Sequence, residues 1–173
     1  NPKCAERLYS KVIDFSKEVE VSNDNIIMDL FCGTGTIAQL LAKANPNQKI
    51  VGVDIVDEAI ENAKTNAIKN NTSNTKFYSD DVGKFLLNHP EYTDKIGLII
   101  HDPPRGGIAP KTLRKVMRLN AKNIVYVSCN PATQARDLVS LKEEGYELQK
   151  FSLVDQFPHT SHIETVALLK KQS

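Results

Sequence analysis

The stretch Asp29-Leu30-Phe31-Cys32-Gly33-Thr34-Gly35-Thr36 joins a short apolar run, Asn25–Leu30, to a helical pattern, Thr36–Ala44. Glycines in a strand-to-helix turn allow backbone torsions that other residues avoid, and they let a ligand approach the main chain closely. The start of a helix also offers backbone N–H groups that have no partner within the helix. This stretch therefore predicts a strand, a ligand-binding loop and a helix, in that order.

The same alternation of strand and helix continues along the chain. An opening helix is indicated by apolar residues with helical spacing, namely Ala5, Leu8, Tyr9, Val12 and Ile13. The other predicted strands are Lys49–Asp54, Thr75–Tyr78, Ile96–His101 and Asn123–Ser128, and the other predicted helices are Glu58–Lys69, Val82–Asn88, Pro110–Leu119 and Pro131–Glu143. Strands that alternate with helices in this way form βαβ units around a parallel sheet.

Two extended runs, Tyr146–Val154 and His162–Leu169, follow the last predicted helix. The segment between them is too short for a crossover helix, so the two runs are expected to pair antiparallel at the end of the sheet. The sequence thus predicts an α/β, Rossmann-like fold with a seven-stranded, mostly parallel sheet and a C-terminal antiparallel hairpin. Residues 1–173 are expected to form one domain.

The composition is that of a soluble globular protein, with 40% hydrophobic and 25% charged residues. Twenty-two basic and 21 acidic side chains leave a formal net charge of +1, which excludes a strongly basic nucleic-acid-binding module but not a small basic patch. No apolar run is long enough to span a membrane, so no membrane association is expected. The chain starts at Asn1 rather than at methionine, and we expect it to be a piece of a longer, monomeric protein.

The 3 cysteines contain no CxxC pair, which argues against a disulfide framework or a zinc site. No metal is therefore expected. The lack of paired cysteines favours a reducing, intracellular compartment. The cytoplasm is preferred, and the nucleus and the mitochondrion are the alternatives.

Asp54 ends the second predicted strand, about 20 residues after the glycine loop, where a carboxylate commonly binds ribose hydroxyls. Dinucleotide-binding loops carry a third glycine, whereas Gly33-Thr34-Gly35 is followed by Thr36-Ile37-Ala38. The missing third glycine favours S-adenosylmethionine over NAD. The adenosine half of S-adenosylmethionine needs the same ribose contact, but S-adenosylmethionine has no pyrophosphate. Asp80 and Asp81, after the third strand, are both candidates for binding the adenine amine. For Asp54 and Asp81 the alternative is a carboxylate that caps nearby backbone.

The turn Asp102-Pro103-Pro104-Arg105 follows the fourth strand. Two prolines fix φ and remove backbone donors, which makes the turn stiff, and ligands of open α/β sheets bind at such strand ends. We therefore expect Asp102 beside the cofactor. Many enzymes that methylate amino groups carry an aromatic residue after the two prolines. Arg105 in that position counts against methylation of an exocyclic amine.

Cys129 follows the fifth strand, at the start of a predicted helix. Asn130 suits the cap of that helix and Pro131 suits its first position, so Cys129 is placed at a helix N-terminus. The positive end of the helix dipole is expected to favour the thiolate, which makes Cys129 a candidate nucleophile. Cys4 and Cys32 are expected to be inert.

The closing segment, Asp155–Glu164, is dense in groups that donate or accept protons. Carbon 5 of uracil is a poor nucleophile until a thiolate adds to C6, and a base must later remove the C5 proton so that the thiol can leave. Cys129 suits the first role and Glu164 the second. Methylation of an exocyclic nitrogen needs no thiol, so a catalytic cysteine distinguishes methylation of C5 from methylation of an amine.

The chain resembles the catalytic domain of the RNA uracil-5-methyltransferases, the family of the tRNA T-loop methylase and its ribosomal-RNA relatives. The resemblance spans essentially the whole chain and rests on Asp29–Thr36, Asp102–Gly106, Ser128–Pro131 and Asp155–Glu164. It implies the class I S-adenosylmethionine-dependent methyltransferase fold. It also implies methylation of C5 of a uridine in RNA, with tRNA favoured and rRNA possible.

The resemblance further implies roles for single residues, with Cys129 as nucleophile, Glu164 as proton acceptor and Arg105 as a substrate-binding residue. The residues expected to bind S-adenosylmethionine are Phe31, Gly33, Gly35, Thr36, Asp54, Asp81 and Asp102. Family members often carry Glu where Asp54 stands and Asn where Thr36 stands, and neither change is expected to abolish these contacts. The family's amino-terminal RNA-binding domain is absent here, so RNA binding by this chain alone is expected to be weak.

Four basic residues on the helix after the Asp-Pro-Pro turn are expected either to contact phosphate or to form an ordinary solvated helix face: Lys111, Arg114, Lys115 and Arg118.

The sequence leaves two alternative functions for the chain. One is an amino-methyltransferase, which Arg105 and Cys129 disfavour. The other is a non-catalytic S-adenosylmethionine-binding or scaffold domain, which an intact pair of Cys129 and Glu164 disfavours.

Overall fold

The computed structural model describes residues 2–155 and 163–173. Its helices and strands, in chain order, are α1 (Pro2–Lys17), β1 (Ile26–Leu30), α2 (Thr36–Ala44), β2 (Lys49–Asp54), α3 (Asp57–Lys69), β3 (Thr75–Ser79), α4 (Val82–Asn88), β4 (Ile96–His101), α5 (Pro110–Arg118), β5 (Asn123–Ser128), α6 (Pro131–Glu143), β6 (Tyr146–Asp155) and β7 (Ile163–Lys171). The predicted alternation is confirmed, and the described ends agree to within two residues. A short 3-10 turn, Pro90–Tyr92, was not predicted. His162, predicted to begin the last strand, lies outside the described residues.

The strands of the described residues form one 7-stranded sheet in the order β3-β2-β1-β4-β5-β7-β6. The first five strands of that order run parallel, whereas β7 lies antiparallel between β5 and β6. The predicted C-terminal antiparallel hairpin is therefore confirmed, and its second strand is the one that contacts β5. The chain reverses its direction of winding between β1 and β4, where open α/β sheets bind ligands at the carboxyl ends of the strands.

Helices cover both faces of the sheet and form two apolar cores. One core joins α1, α2 and α3 to the sheet through residues such as Leu8, Leu41 and Ile60. The other joins α4, α5 and α6 to the opposite face through residues such as Phe85, Val116 and Leu141. All residues of β4 and β5 are buried. The nearly continuous apolar sequence of these strands is thus explained by burial on both faces.

Phe77 on β3 fills the space that side chains at two glycines would occupy. A Cβ atom at Gly52 would lie 2.6 Å from Cδ1 of Phe77, and one at Gly35 would lie 2.7 Å from Cε1. Gly35 also has a φ of 78°, a left-handed conformation that other residues rarely adopt. The ring therefore packs directly on the backbone of β2 and of the glycine loop, and it holds that loop against the sheet.

Two negative findings apply to residues 2–155 and 163–173. No helix there has both the length and the apolar content needed to cross a membrane. No group of three or more His, Cys, Asp or Glu side chains there is arranged to hold a metal ion.

Gly52→Ala is expected to lower the free energy of unfolding by about 1–3 kcal/mol, because the added methyl group overlaps the ring of Phe77. Chemical denaturation of the two proteins measures the difference. In a Phe77→Leu background the same substitution is expected to cost much less. An equal cost in both backgrounds would show that the ring is not the obstacle.

Candidate active site

The predicted site residues lie along one edge of the sheet. Gly33 follows β1, Asp54 ends β2, Asp102 follows β4 and Cys129 follows β5. Parallel strands end at the same edge, and neighbouring strands lie about 4.8 Å apart, so the distance from β2 to β5 is about 14 Å. We call the space along this edge the crevice. It is long enough for an extended small molecule with Asp54 at one end and Cys129 at the other.

The antiparallel pairing of β5 with β7 brings the thiol and the carboxylate together. Ser128 pairs with Thr165. Cys129 follows the first residue and Glu164 precedes the second, so both extend beyond this pair at the same edge of the sheet. Cys129 is exposed and Glu164 is half-buried. The charge of Glu164 raises the pKa of Cys129, which is consistent with two side chains that lie close together.

A chain of buried hydrogen bonds holds this register. Thr165 Oγ1 donates to Oε1 of Gln134 at 2.7 Å, and Nε2 of Gln134 donates to the carbonyl oxygen of Tyr126 at 3.1 Å. Thr165 is 0% and Gln134 1% exposed, so no water competes for these bonds. They tie the strand that carries Glu164 to α6, the helix that follows Cys129.

The pKa of Cys129 is shifted in the direction opposite to our expectation. Partial burial, and after it the negative charge of Glu164, raise the pKa of this thiol. A backbone hydrogen bond at Cys129 and, after it, the Arg105 guanidinium act in the other direction without reversing the shift. The prediction that Cys129 favours the thiolate was therefore wrong, because burial and the negative charge of Glu164 favour the protonated thiol.

Two features of the helix that follows Cys129 limit the number of free backbone donors at its start. Pro131 occupies the first helical position and has no N–H. The side chain of Asn130 accepts the N–H of Ala132 at 3.1 Å, as predicted for a cap. These two features leave few free donors to stabilise a neighbouring anion.

The glycine loop adopts left-handed torsions at three positions: φ is 61° at Phe31, 56° at Gly33 and 78° at Gly35. No heavy atom lies within 4 Å of the position that a Cβ atom at Gly33 would take, so a ligand can approach the backbone there. The corresponding space at Gly35 is filled by Phe77. Thr36 is exposed at the first turn of α2. Gly33 therefore faces open space, whereas Gly35 is required for packing and torsion.

Asp54 uses both carboxylate oxygens to hold nearby backbone. Its Oδ2 accepts the N–H of Gly33 at 2.9 Å, and its Oδ1 accepts the N–H of Val56 at 3.0 Å. The local backbone contact that we considered as an alternative is thus present. Each oxygen keeps a second lone pair, so a contact with ribose stays a prediction that is compatible with this geometry.

Asp81 caps α4, because its Oδ1 accepts the N–H of Lys84 at 2.9 Å. This is the second of the two roles that the sequence left open for this carboxylate. The contact between Asp81 and an adenine amine stays a prediction.

Asp29 was quoted in the sequence motif but was not assigned to the site, and the structure draws attention to it. It is 1% exposed, and neither carboxylate oxygen has a hydrogen-bond partner among the described residues. Burial raises its pKa well above the usual value, and the negative charge of Asp102 adds to that effect. The backbone of Ala38 acts in the other direction without reversing the shift, so this carboxyl group favours its protonated form unless a donor or a cation from a ligand stabilises the anion. The signal available in the sequence was a lone charge inside an otherwise apolar strand.

The first turns of α6 clamp the Asp-Pro-Pro turn by its backbone. Nδ2 of Asn130 and Oγ1 of Thr133 donate to the carbonyl oxygen of Arg105, at 3.3 and 3.4 Å. Nη2 of Arg136 donates to the carbonyl oxygen of Gly106 at 3.3 Å. The helix that starts beside the thiol therefore also holds the turn that follows β4.

The buried carboxylate of Asp137 completes this clamp. It is 2% exposed, and its Oδ2 accepts the hydroxyl of Tyr126 at 2.5 Å and the N–H of Ile108 at 3.2 Å. Its Oδ1 accepts Nη2 of Arg136 at 3.0 Å. The bonds from Tyr126 and Ile108 join residues that lie 11 and 29 positions from Asp137 in the chain, so no local pattern predicted them.

Asp102 is held in an environment that disfavours its charge. Burial, and after it the negative charge of Glu164, raise the pKa of Asp102 to about 7. Burial also raises the pKa of Glu164. The crevice therefore contains several carboxyl groups that ionise less readily than usual, and a positively charged ligand would relieve their mutual repulsion.

Comparison with solved structures defines the class of protein. The crystal structure of Pyrococcus abyssi tRNA (uracil-54, C5)-methyltransferase in complex with S-adenosyl-L-homocysteine matches with a TM-score of 0.75 and 35% identity, over 92% of this chain and 37% of that chain. The [4+2]-cyclase SpnF matches with a TM-score of 0.75 and 14% identity, over 96% of this chain and 81% of that chain, and at that identity the likeness shows the fold alone. The fold is that of the S-adenosylmethionine-dependent methyltransferases.

The family is defined by sequence. The model of the tRNA (uracil-5-)-methyltransferase family matches residues 2–172, and the chain belongs to this family. An uncharacterized RNA methyltransferase of Clostridium acetobutylicum is 45% identical over 172 residues, which are 99% of this chain and 36% of that protein. The chain thus spans little more than a third of the length of the curated relatives it matches.

The residues of the crevice fit S-adenosylmethionine, the methyl donor of this family. The molecule carries a positive sulfonium and an ammonium group, which suit the unpartnered oxygens of Asp29 and the carboxyl group of Asp102. The open space at Gly33 admits a ligand close to the backbone. Asp54 retains acceptor capacity for ribose hydroxyls.

Asp102→Asn is expected to make the protein more stable at pH 8, by up to about 4 kcal/mol, and to make no difference near pH 4. The pKa of Asp102 is about 7 in the folded chain and roughly 4 in the unfolded chain. The folded protein therefore retains a proton that the unfolded chain releases, and the wild type loses stability as pH rises from 4 to 7. Chemical denaturation at pH 4, 6 and 8 measures this. A stability difference that is independent of pH would contradict it.

Asp137→Asn is expected to accelerate hydrogen exchange at the amide of Ile108 and to lower the free energy of unfolding by about 1–3 kcal/mol, because it weakens the clamp. Tyr126→Phe is the matched control, since it removes one donor to Asp137 and leaves the bond to Ile108 in place. Exchange at Ile108 is followed by NMR in both variants. Unchanged exchange in Asp137→Asn would show that the carboxylate does not hold the turn.

Proposed function

We propose that this chain carries the catalytic site for methylation of C5 of a uridine in RNA, with S-adenosylmethionine as methyl donor. The observation that carries the proposal is the register of β5 and β7, which places a thiol and a carboxylate beside each other at the crevice. Neither a non-catalytic cofactor-binding domain nor an amino-methyltransferase needs this pair. We propose tRNA as the RNA, because the family and the P. abyssi relative are both named for tRNA.

Cys129 acts first, as the nucleophile. Its sulfur bonds to C6 of the uracil ring, and the electron pair of the C5–C6 bond moves into the ring as an enolate. Carbon 5 thereby becomes nucleophilic. Cys129 is exposed at the crevice, so a base that leaves its stack can reach the sulfur.

The thiol must lose its proton to act, and the charge balance of the crevice controls this step. Glu164 raises the pKa of Cys129, and Arg105 opposes it. When bound, S-adenosylmethionine supplies an electrophilic methyl group and a positive charge that favours the anionic forms of these side chains. The residues that would hold it are Asp29, Gly33, Asp54 and Asp102, with Phe31 and Thr36 beside them.

Glu164 acts last, as the base. Once C5 carries the methyl group, the carboxylate removes the C5 proton, the C5–C6 double bond forms again and the sulfur leaves as thiolate. Burial raises the pKa of Glu164, which makes the carboxylate a stronger base than an exposed glutamate. Its place next to Cys129 lets one pocket serve both addition and elimination.

Arg105 is proposed to bind the substrate. Its carbonyl oxygen is held by Asn130 and Thr133, whereas its side chain is exposed and close enough to lower the pKa of Cys129. A guanidinium in that position can donate to the uracil oxygens or to a phosphate.

The test uses the full-length protein and RNA that contains 5-fluorouridine at the target. Fluorine at C5 cannot be removed as a proton, so a covalent adduct is expected to accumulate and to be visible as a protein–RNA band on a denaturing gel. Cys129→Ala is expected to abolish the adduct and to reduce turnover by roughly three orders of magnitude or more. Nucleoside analysis of ordinary RNA is expected to yield 5-methyluridine.

Glu164→Gln separates the two steps. It keeps the shape of the side chain but removes the base, so an adduct with ordinary uridine RNA is expected to form and to resolve slowly.

Cys4→Ala is the matched control for Cys129→Ala, because Cys4 lies buried in α1, away from the crevice. Full turnover by Cys129→Ala, or a product methylated on an exocyclic nitrogen, would overturn the proposal.

A further inference from the structure

We propose that the solvent-facing side of α5 is a docking surface for the RNA backbone next to the target uridine. The proposal rests on the proposed function, since it takes RNA as the partner. We call this side of the helix the α5 basic stripe. It consists of Lys111, Arg114, Lys115 and Arg118.

The spacing of these residues places them on one side of the helix. They stand at positions i, i+3, i+4 and i+7, whereas Leu113 and Val116 on the opposite side are buried in the core. Lys111, Arg114 and Arg118 are exposed and Lys115 is half-buried. At 1.5 Å per residue the stripe is about 10 Å long, enough to follow a nucleic-acid backbone over two neighbouring phosphates.

The positive charge of the stripe is not balanced within the described part of the chain. The helix contains no acidic residue, and none of its four basic side chains takes part in an ion pair with a described carboxylate. On α1, by contrast, Arg7 and Lys11 line a groove together with Glu6 and Asp14. Lys115 Nζ and Asp81 Oδ1 both lie close to Gly83, so Asp81 offsets part of the charge of Lys115. In a chain with a net charge of only +1, four cations on one helix that form no ion pair are still a local excess that suits a polyanion.

The position of the helix connects the stripe to the crevice. The turn that begins at Asp102 leads from the carboxyl end of β4 to Pro110, where α5 starts. Lys111 therefore lies at the crevice end of the stripe and Arg118 at the far end. Arg105 lies within the same turn and its side chain is exposed. A strand whose target base enters the crevice can continue past Arg105 onto the stripe.

The test measures RNA binding by the full-length protein as a function of salt. In one variant the four stripe residues are changed to Gln, a neutral residue that favours helix. In the matched control the exposed Lys43, Lys49, Lys64 and Lys69, which lie on α2, β2 and α3, are changed to Gln, so that both variants lose the same charge. Each lost phosphate contact is expected to reduce the slope of log K against log salt by about 0.7–0.9, so the stripe variant, which loses its contacts with two phosphates, is expected to lose about 1.4–1.8 in total.

The stripe variant is also expected to bind RNA at least about tenfold more weakly at 0.1 M salt, and the control to bind as the parent does. At saturating RNA, kcat is expected to stay within about twofold of the parent, because no stripe residue contacts the reacting base. Affinity for S-adenosylmethionine, measured by calorimetry, is expected to be unchanged. If the fourfold variant does not fold, Lys111→Gln/Arg114→Gln and Lys115→Gln/Arg118→Gln are each expected to reduce the slope by about half of that loss.

The outcomes of this test are distinct from those of the proposed function. Equal slopes for the stripe variant and the control would overturn the docking surface, even if the parent makes 5-methyluridine. The same result is expected if the stripe serves an acidic protein rather than RNA. A parent that binds RNA but forms no 5-methyluridine would overturn the proposed function while the slopes still decide the docking surface.

Discussion

The antiparallel pairing of β7 with β5 is the constraint on which the candidate site depends. The other neighbour of β5 in the sheet runs parallel to it, so only an antiparallel strand can bring its own beginning to the edge where β5 ends. A shift of one residue in this pairing would turn Glu164 to the other face of the sheet. The buried bond from Thr165 to Gln134 opposes such a shift. The thiol and the carboxylate are thus joined by backbone geometry rather than by a flexible loop.

The second feature on which the candidate site depends is the group of carboxyl side chains at the same edge of the sheet. Asp29, Asp102 and Glu164 all ionise less readily than usual, since burial withholds water and each has a negative neighbour or an apolar one. Such an arrangement disfavours folding at neutral pH, and a cationic ligand would relieve the repulsion. The charge of Glu164 also raises the pKa of the Cys129 thiol, so under the proposed function the charge of a bound cofactor would act on that thiol as well.

The clamp formed by α6 holds the Asp-Pro-Pro turn in a fixed position relative to Cys129, although the two are far apart in the chain. Asn130, Thr133 and Arg136 hold backbone carbonyl groups of the Asp-Pro-Pro turn, and Asp137 holds the amide of Ile108. The same helix begins beside Cys129. Cys129 and the turn that leads from Asp102 to α5 are therefore tied to the same helix, and α5 exposes its basic side to solvent with Lys111 at the crevice end.

Much of the fold could be predicted because its signals are local. Glycines at a strand end, apolar runs such as Ile96–His101 and helical spacing in α1 depend on neighbours a few residues away, and the parallel sheet with its final hairpin follows from their order. The cap by Asn130 was predictable for the same reason. The resemblance of four short segments to a known family added the roles of Cys129 and Glu164.

Other features depend on contacts between residues that are far apart in the chain. The packing of Phe77 on Gly52 and the clamp by Asp137 have no local pattern that a sequence displays. Asp29 was visible as a lone charge in an apolar strand, but only the fold shows that its carboxyl group is buried. The pKa of Cys129 shows the difference most clearly. The sequence alone determined that a thiol follows a strand and precedes a capped helix, and this predicted a thiolate. Only the tertiary structure partly buried this thiol and brought Glu164 close to it, and burial, followed by repulsion from the Glu164 carboxylate, reverses that preference.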